Sequence, residues 1–286
     1  MPLEIHDNMI TNLRLGGLPI TSTQDLLQSF NNGSFPATVY TRSKKGGYQG
    51  NKMPTPSFAS YQLVCNLTVI GLGFSDLVAQ RAALFKILGL VHSLGVQTLE
   101  IDRSDGTTLQ IDIKAIQVTG DYSTDDMSSS QIQVTLEAEY PFLQSSLPSS
   151  QDVSIYNGGG MAVPMGVPLD LTSGATGPVI LTNLGNYAAY PIFTFVGPLT
   201  HPEITNNTTG EVLSLAYDLA SSDDSIVVDC YERTVLIEPS GNPGRQYMSG
   251  DFWTVPIGVS TVTLGSSNTG DAGKVTVLFR STYLGV

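Results

Sequence analysis

The chain has 286 residues, of which 41% are hydrophobic and only 13% charged, with a formal net charge of -12. That length provides for two domains or one large one, and the apolar content excludes a largely disordered chain. The acidic balance argues against a protein that grips duplex DNA, because phosphate affinity needs clustered Lys and Arg.

In chain order, the first forty residues alternate short apolar runs with turn residues. Leu13, Leu15, Leu18 and Ile20 are interrupted by Gly16-Gly17, which predicts a hairpin or a bulge. Arg42 to Gly47, followed by Pro54 and Pro56, reads as a locally basic loop. It is either a solvated surface segment or a projection towards an acidic neighbour. Strand character returns from Gln62 to Ile70, and one helix follows. Ser75 is the expected N-cap with Asp76 in the first turn. Leu77, Leu84, Phe85, Leu88 and Val91 share a face that should pack on a sheet, and Gly89 or Gly95 ends the helix. Leu99 and Ile101, then Leu109, Ile111 and Ile113, alternate with polar residues about Ser104-Asp105-Gly106, which predicts a β-hairpin. A polar loop at Asp125 to Ser128 leads to a strand from Ile132 to Leu136.

Residues 144–160 are rich in Ser, Gln, Pro and Gly and mark the expected domain boundary. The two domains are placed at 1–148, α+β with one helix, and 149–286, all β. In the second, Pro178–Thr182, Ile192–Val196, Val212–Leu215, Ile226–Cys230, Thr234–Ile237, Ser260–Leu264 and Lys274–Phe279 are spaced as in a β-sandwich.

The residues that carry chemistry in other proteins form no constellation here. His6, His92 and His201 lie far apart with no metal-ligand spacing. There is no Gly-x-Ser-x-Gly elbow, and Cys65 and Cys230 read as small apolar strand residues in a reducing compartment. Asp102 to Gly106 lacks the alternating oxygens of a calcium loop. Asp223-Asp224 reads as a solvated turn, and Gly71-Leu72-Gly73 lacks the third glycine of a dinucleotide fingerprint. Asn66-Leu67-Thr68 and Asn206-Asn207-Thr208 spell glycosylation sequons, but the start Met1-Pro2-Leu3-Glu4 has no secretory leader and no apolar run would span a membrane. No catalytic, cofactor or metal residue is assigned, no cofactor is expected, and the chain reads as a non-enzyme.

A resemblance is carried by the second half. Ile180 to Ile192, including Asn183, Gly185, Asn186, Tyr187, Tyr190 and Pro191, runs into Gly197 to Glu211 and on through Ile226 to Val235. With Asp251 to Gly258 and Phe279 to Leu284, this pattern resembles the C-terminal domain of the phage distal tail protein (Dit) family. Asp102 to Lys114 and Glu137 to Leu143 look like the end of that family's N-terminal domain.

The resemblance implies a mainly β protein: a tail-tube-like β-sandwich carrying the helix, then a galectin-like β-sandwich. It further implies a homo-hexameric ring in the virion, joining the tail tube protein to a tip hub protein and to other baseplate or fibre proteins. DNA would pass through a central channel without specific binding, and an acidic lumen would keep it from sticking. Synthesis would take place in the host bacterial cytoplasm, with no membrane insertion. Two other readings stay open: a tube or adaptor subunit of the tail, and a carbohydrate-binding module for host attachment, with Trp253 as the one tryptophan able to serve as a sugar platform.

Overall fold

The computed structural model describes residues 10–20, 25–31, 38–39, 43–44, 51–52, 57–89, 93–120, 129–155, 177–268 and 270–285. The chain divides into two compact units, Met1–Ser146 with Tyr283–Val286, and Leu147–Thr282. His6, His92, Val91, the Asp125 to Ser128 loop, Asn157 to Gly160 and most of the basic segment around Arg42 lie outside the described residues.

In the first unit, β1 (Ile10–Leu15) and β2 (Leu18–Pro19) pair across Gly16-Gly17. Both glycines take positive φ, 58° and 79°, which the two-residue hairpin requires and side-chain-bearing residues resist. β3 (Asp25–Asn31) is followed by four two-residue strands: β4 (Thr38–Val39), β5 (Ser43–Lys44), β6 (Asn51–Lys52) and β7 (Ser57–Phe58). Then come β8 (Tyr61–Ile70), helix α1 (Phe74–Leu88), β9 (Gln97–Arg103), β10 (Thr108–Ile113), β11 (Ala115–Gly120), β12 (Ser129–Ala138) and β13 (Leu143–Ser145). The main sheets run β11-β12-β8-β3 and β2-β1-β9-β10-β13-β25, the last being Thr282–Tyr283.

The period-2 pattern explains why these sheets share one core. Leu63, Cys65, Leu67 and Val69 alternate inward on β8, as do Ile132, Val134, Leu136 and Ala138 on β12. They join Leu13, Leu15, Leu99, Ile101, Leu109, Ile111 and Ile113 from the other sheet in a single cluster. Each such side chain contributes about 1.5–3 kcal/mol of burial. The helix adds Leu77, Leu84 and Leu88.

The helix starts differently from the expectation. Gly73, not Ser75, is the N-cap, and the Asp76 carboxylate turns back to accept from the Leu72 N–H at 2.8 Å. An acid at the third helical position serves this outer donor better than Ser75 could from inside the first turn. Gly89 closes the helix and Gly95 lies beyond it.

The second unit contains β14 (Ser149–Ser154), β15 (Val179–Asn183), β16 (Ile192–Val196), β17 (Glu203–Asn206), β18 (Val212–Leu215), β19 (Ser225–Asp229), β20 (Thr234–Glu238), β21 (Asn242–Pro243), β22 (Met248–Gly250), β23 (Gly258–Gly265) and β24 (Lys274–Phe279). The sheets β14-β24-β16-β19-β20-β21 and β15-β23-β17-β18-β22 are wholly antiparallel in their ladders. Their inward residues, among them Leu181, Phe193, Phe195, Ile204, Val228, Val262 and Val277, form a second core. The chain is mainly β, with a single described helix long enough to pack, as the sequence predicted.

Candidate functional site

The residues that sequence reasoning singled out for chemistry are dispersed and structurally employed. Cys65 and Cys230 are buried free thiols. Burial pushes the Cys65 thiol up to about 12; it also raises that of Cys230, with the Asp229 charge adding to it. Neither is a nucleophile under neutral conditions. His201 sits on an exposed loop with Nδ1 3.4 Å from Asp218. Asp224 accepts from the Ser221 N–H and hydroxyl, fixing the turn that contains Asp223. Asp105 accepts from the Thr107 N–H and hydroxyl, and those two bonds hold its carboxyl below the usual range. Asp102 is partly desolvated, which raises its pKa, but bonds from Thr108, Arg14 and Asn12 outweigh this and lower it. Trp253 is only 1% exposed and packs on Phe193 at 4.7 Å, so it offers no face to a sugar. Among the described residues, no group of three or more His, Cys, Asp or Glu could hold a metal ion.

What the surface offers instead is suited to protein contact. In the first unit, the outer side of α1 carries apolar side chains beside the polar Ser75 and Lys86. Leu72 is 95% exposed and Phe74 63%, and Val78, Ala79, Ala82 and Ala83 are exposed along the same helix. So many exposed apolar side chains on one helix are unusual on a free surface. The four-stranded sheet ends on β11 and β3, each of which pairs on one side only among the described residues.

The second unit carries an aromatic and cationic group built on two tethered loops, one between β15 and β16 and one between β19 and β20. Tyr190 and Tyr231 meet edge to face at 5.3 Å. Burial raises the Tyr190 phenol, Tyr187 raises it further, and the Arg233 guanidinium partly offsets both. Tyr231 is raised by burial, then by Glu232 and Tyr190. Tyr187, Tyr231 and Arg233 thus each lie within electrostatic reach of Tyr190.

Each loop has a specific anchor. Buried Asn183 donates to Tyr187 O at 2.8 Å and Val255 O at 3.1 Å, and accepts from the Gly185 N–H at 3.0 Å. Gly185 itself leaves no room for a side chain, because a Cβ there would collide with the Thr282 carbonyl oxygen. The Asp229 carboxylate accepts from the N–H groups of Tyr231 and Glu232, and Cys230 N–H donates to Pro191 O. Asn183, Gly185, Tyr187 and Tyr190 all lie in the stretch that carried the family resemblance. Their cooperation was not legible there, because the Tyr231 to Arg233 turn joins them only through the β16–β19 pairing.

Residues 184–283 match the family of siphovirus-type tail components, C-terminal domain. The fold of the chain is similar to that of the solved Dit protein (gp 19.1) of SPP1, described as a paradigm of the hub adsorption apparatus in phages infecting Gram-positive bacteria. That similarity has a TM-score of 0.62 at 16% identity and covers 95% of this chain and 98% of the other. Chains from two structures of the phage P2 baseplate in its activated conformation, with Ca and with Sr, are similar at TM-scores of 0.44 and 0.40. Their identities are 12% and 13%, and the first pair covers 91% of this chain and 92% of that one, the second 90% and 92%. No curated protein matches this sequence.

Proposed function

We propose that this chain is a structural subunit of a phage tail tip, a distal-tail hub, because its residues 184–283 match the family of siphovirus-type tail components, C-terminal domain. The observation that carries this reading is that family match, set within a fold similar to Dit across 95% of the chain. In this reading the first unit is the ring-forming domain: six copies close a ring beneath the tail tube protein. The second unit faces a tip hub protein and other baseplate or fibre proteins.

Surface physics supports the ring. β11 and β3 each pair on one side only among the described residues, and a closed assembly would satisfy their outer hydrogen-bonding rows, as closed sheets generally do. The exposed Leu72, Phe74 and Val78 at the start of α1 are likewise the kind of surface an assembly covers. The net charge of -12 per copy favours a passage through which DNA slides without adhering. The protein is made in the host cytoplasm and resides in the virion, and recognition and cutting belong to other polypeptides.

Native mass measurement of the purified chain, with negative-stain imaging, tests this. The expected species is a ring of six copies of the 30.4 kDa chain. A chain that remains single at every concentration and is absent from purified tail tips would refute it.

A further inference from the structure

Arg233 poses a question that the fold does not answer. It is exposed, it sits at φ 55°, and among the described residues it has no ion pair or hydrogen bond. The other cations of the unit are employed: Lys274 bonds Asp152 at 2.6 Å, and Arg245 donates to Met248 O while lying over the Phe252 ring. A left-handed backbone at a residue with a side chain is a strain that persists only when its surroundings enforce it. Here Asp229 enforces it by capping the turn, which holds Arg233 two residues from Tyr231 where that ring packs on Tyr190 at 5.3 Å. A strained cation without an ion pair among the described residues, on an acidic protein and close in sequence to packed aromatic rings on anchored loops, is a surface suited to an anion.

We propose that Tyr187, Tyr190, Tyr231 and Arg233 form a docking point for a carboxylate-bearing segment of another tail-tip polypeptide. This rests on the tail-tip reading and names the chemistry of one partner. The charge pattern selects the class. A phosphate polymer needs several clustered cations, whereas this site has one, with exposed Glu232 beside it and an acidic chain behind it. A single guanidinium fits a single carboxylate through its two-pronged donor geometry. The phenol rings supply apolar area around that ion pair, and Tyr and Arg are the residues that dominate protein interfaces. Asn183 and Asp229 hold the loops in place before binding, so little ordering cost remains for the complex.

The test is selection of random 12-residue displayed peptides on the full purified chain, followed by titration of a synthetic winner. Asp or Glu beside an aromatic residue should be enriched. Affinity should fall at least tenfold with Arg233→Asn, which suits the left-handed backbone, and with Tyr231→Ala. Arg233→Lys should recover only part of it. Arg233 is exposed, so the melting curve of its variants should not move, and loss of the Tyr231 ring contact with Tyr190 should lower that of Tyr231→Ala only modestly. Peptides without enriched acids, or binding indifferent to Arg233→Asn, would overturn the proposal. Saturable binding of polyphosphate through the same residues, with no acidic peptide selected, would overturn it in favour of a phosphate polymer. Imaging separates the premise from the inference. A chain that forms rings yet selects no acidic peptide refutes only the docking point; one that selects them yet never forms rings refutes the hub reading.

Discussion

Replacing Asn183 should unsettle the second unit more than any other single polar change. Its amide donates to Tyr187 O and Val255 O and accepts from the Gly185 N–H, and the residue is 1% exposed. Asn183→Ala removes three hydrogen bonds, each contributing about 1 kcal/mol net, and strands buried backbone groups at a further cost of about 1–3 kcal/mol. The expected loss is about 4–6 kcal/mol, or about 16–24 °C in Tm for a unit of this size. Thermal melting followed by circular dichroism measures it. Thr182→Ala, on the exposed side of the same strand, is the control and should stay within about 0.5 kcal/mol.

Asn183→Asp adds a signed pH dependence. The new carboxyl would be buried facing two carbonyl oxygens, so its folded pKa rises above the unfolded value of about 3.9. Its contribution is then fully present below that unfolded value and is lost as pH rises through the folded one. The Asp variant should therefore fall further below the native protein between acid and neutral pH, whereas the Ala variant keeps a constant gap. An Ala variant within 1 kcal/mol of native, or an Asp variant with no such trend, would refute the reasoning.

Three further outcomes follow from individual contacts. Asp152, held below the usual carboxylate range by Lys274 and Thr276, is half-exposed, so screening limits Asp152→Asn to about 0.5 kcal/mol. That difference, read by urea unfolding, is present above the ordinary carboxylate pKa and should vanish as pH falls through the depressed one. Cys65 and Cys230 should resist a thiol reagent at neutral pH and react together once the chain is unfolded in guanidinium. Leu77→Ala should cost about 2–5 kcal/mol of stability by leaving a cavity under the helix, whereas Leu72→Ser on the exposed side should stay within about 0.5 kcal/mol.

Strands whose apolar residues alternate were legible because a half-buried sheet imposes period 2. Ile192–Val196, Val212–Leu215 and Lys274–Phe279 are read off the sequence with their observed bounds. The short β17 at Glu203–Asn206 was not, since one buried Ile and one buried Asn make a weak pattern. The helix start was misplaced by two residues because a glycine N-cap leaves no side-chain signature and Ser75 supplies a misleading one. The outer side of α1 was overlooked for another reason: Ala79, Ala82 and Ala83 are strong helix formers and look unremarkable until their exposure is known. The aromatic group around Arg233 needed the fold itself. Tyr190 and Tyr231 stand forty-one positions apart, and only the β16–β19 ladder makes them neighbours.

The tail-tip assignment meets its most direct test in gold-labelled antibody raised against this chain and applied to intact virions. Label confined to the end of the tail remote from the capsid is the predicted result. Label along the tube, on the capsid, or absent from the particle altogether would contradict it.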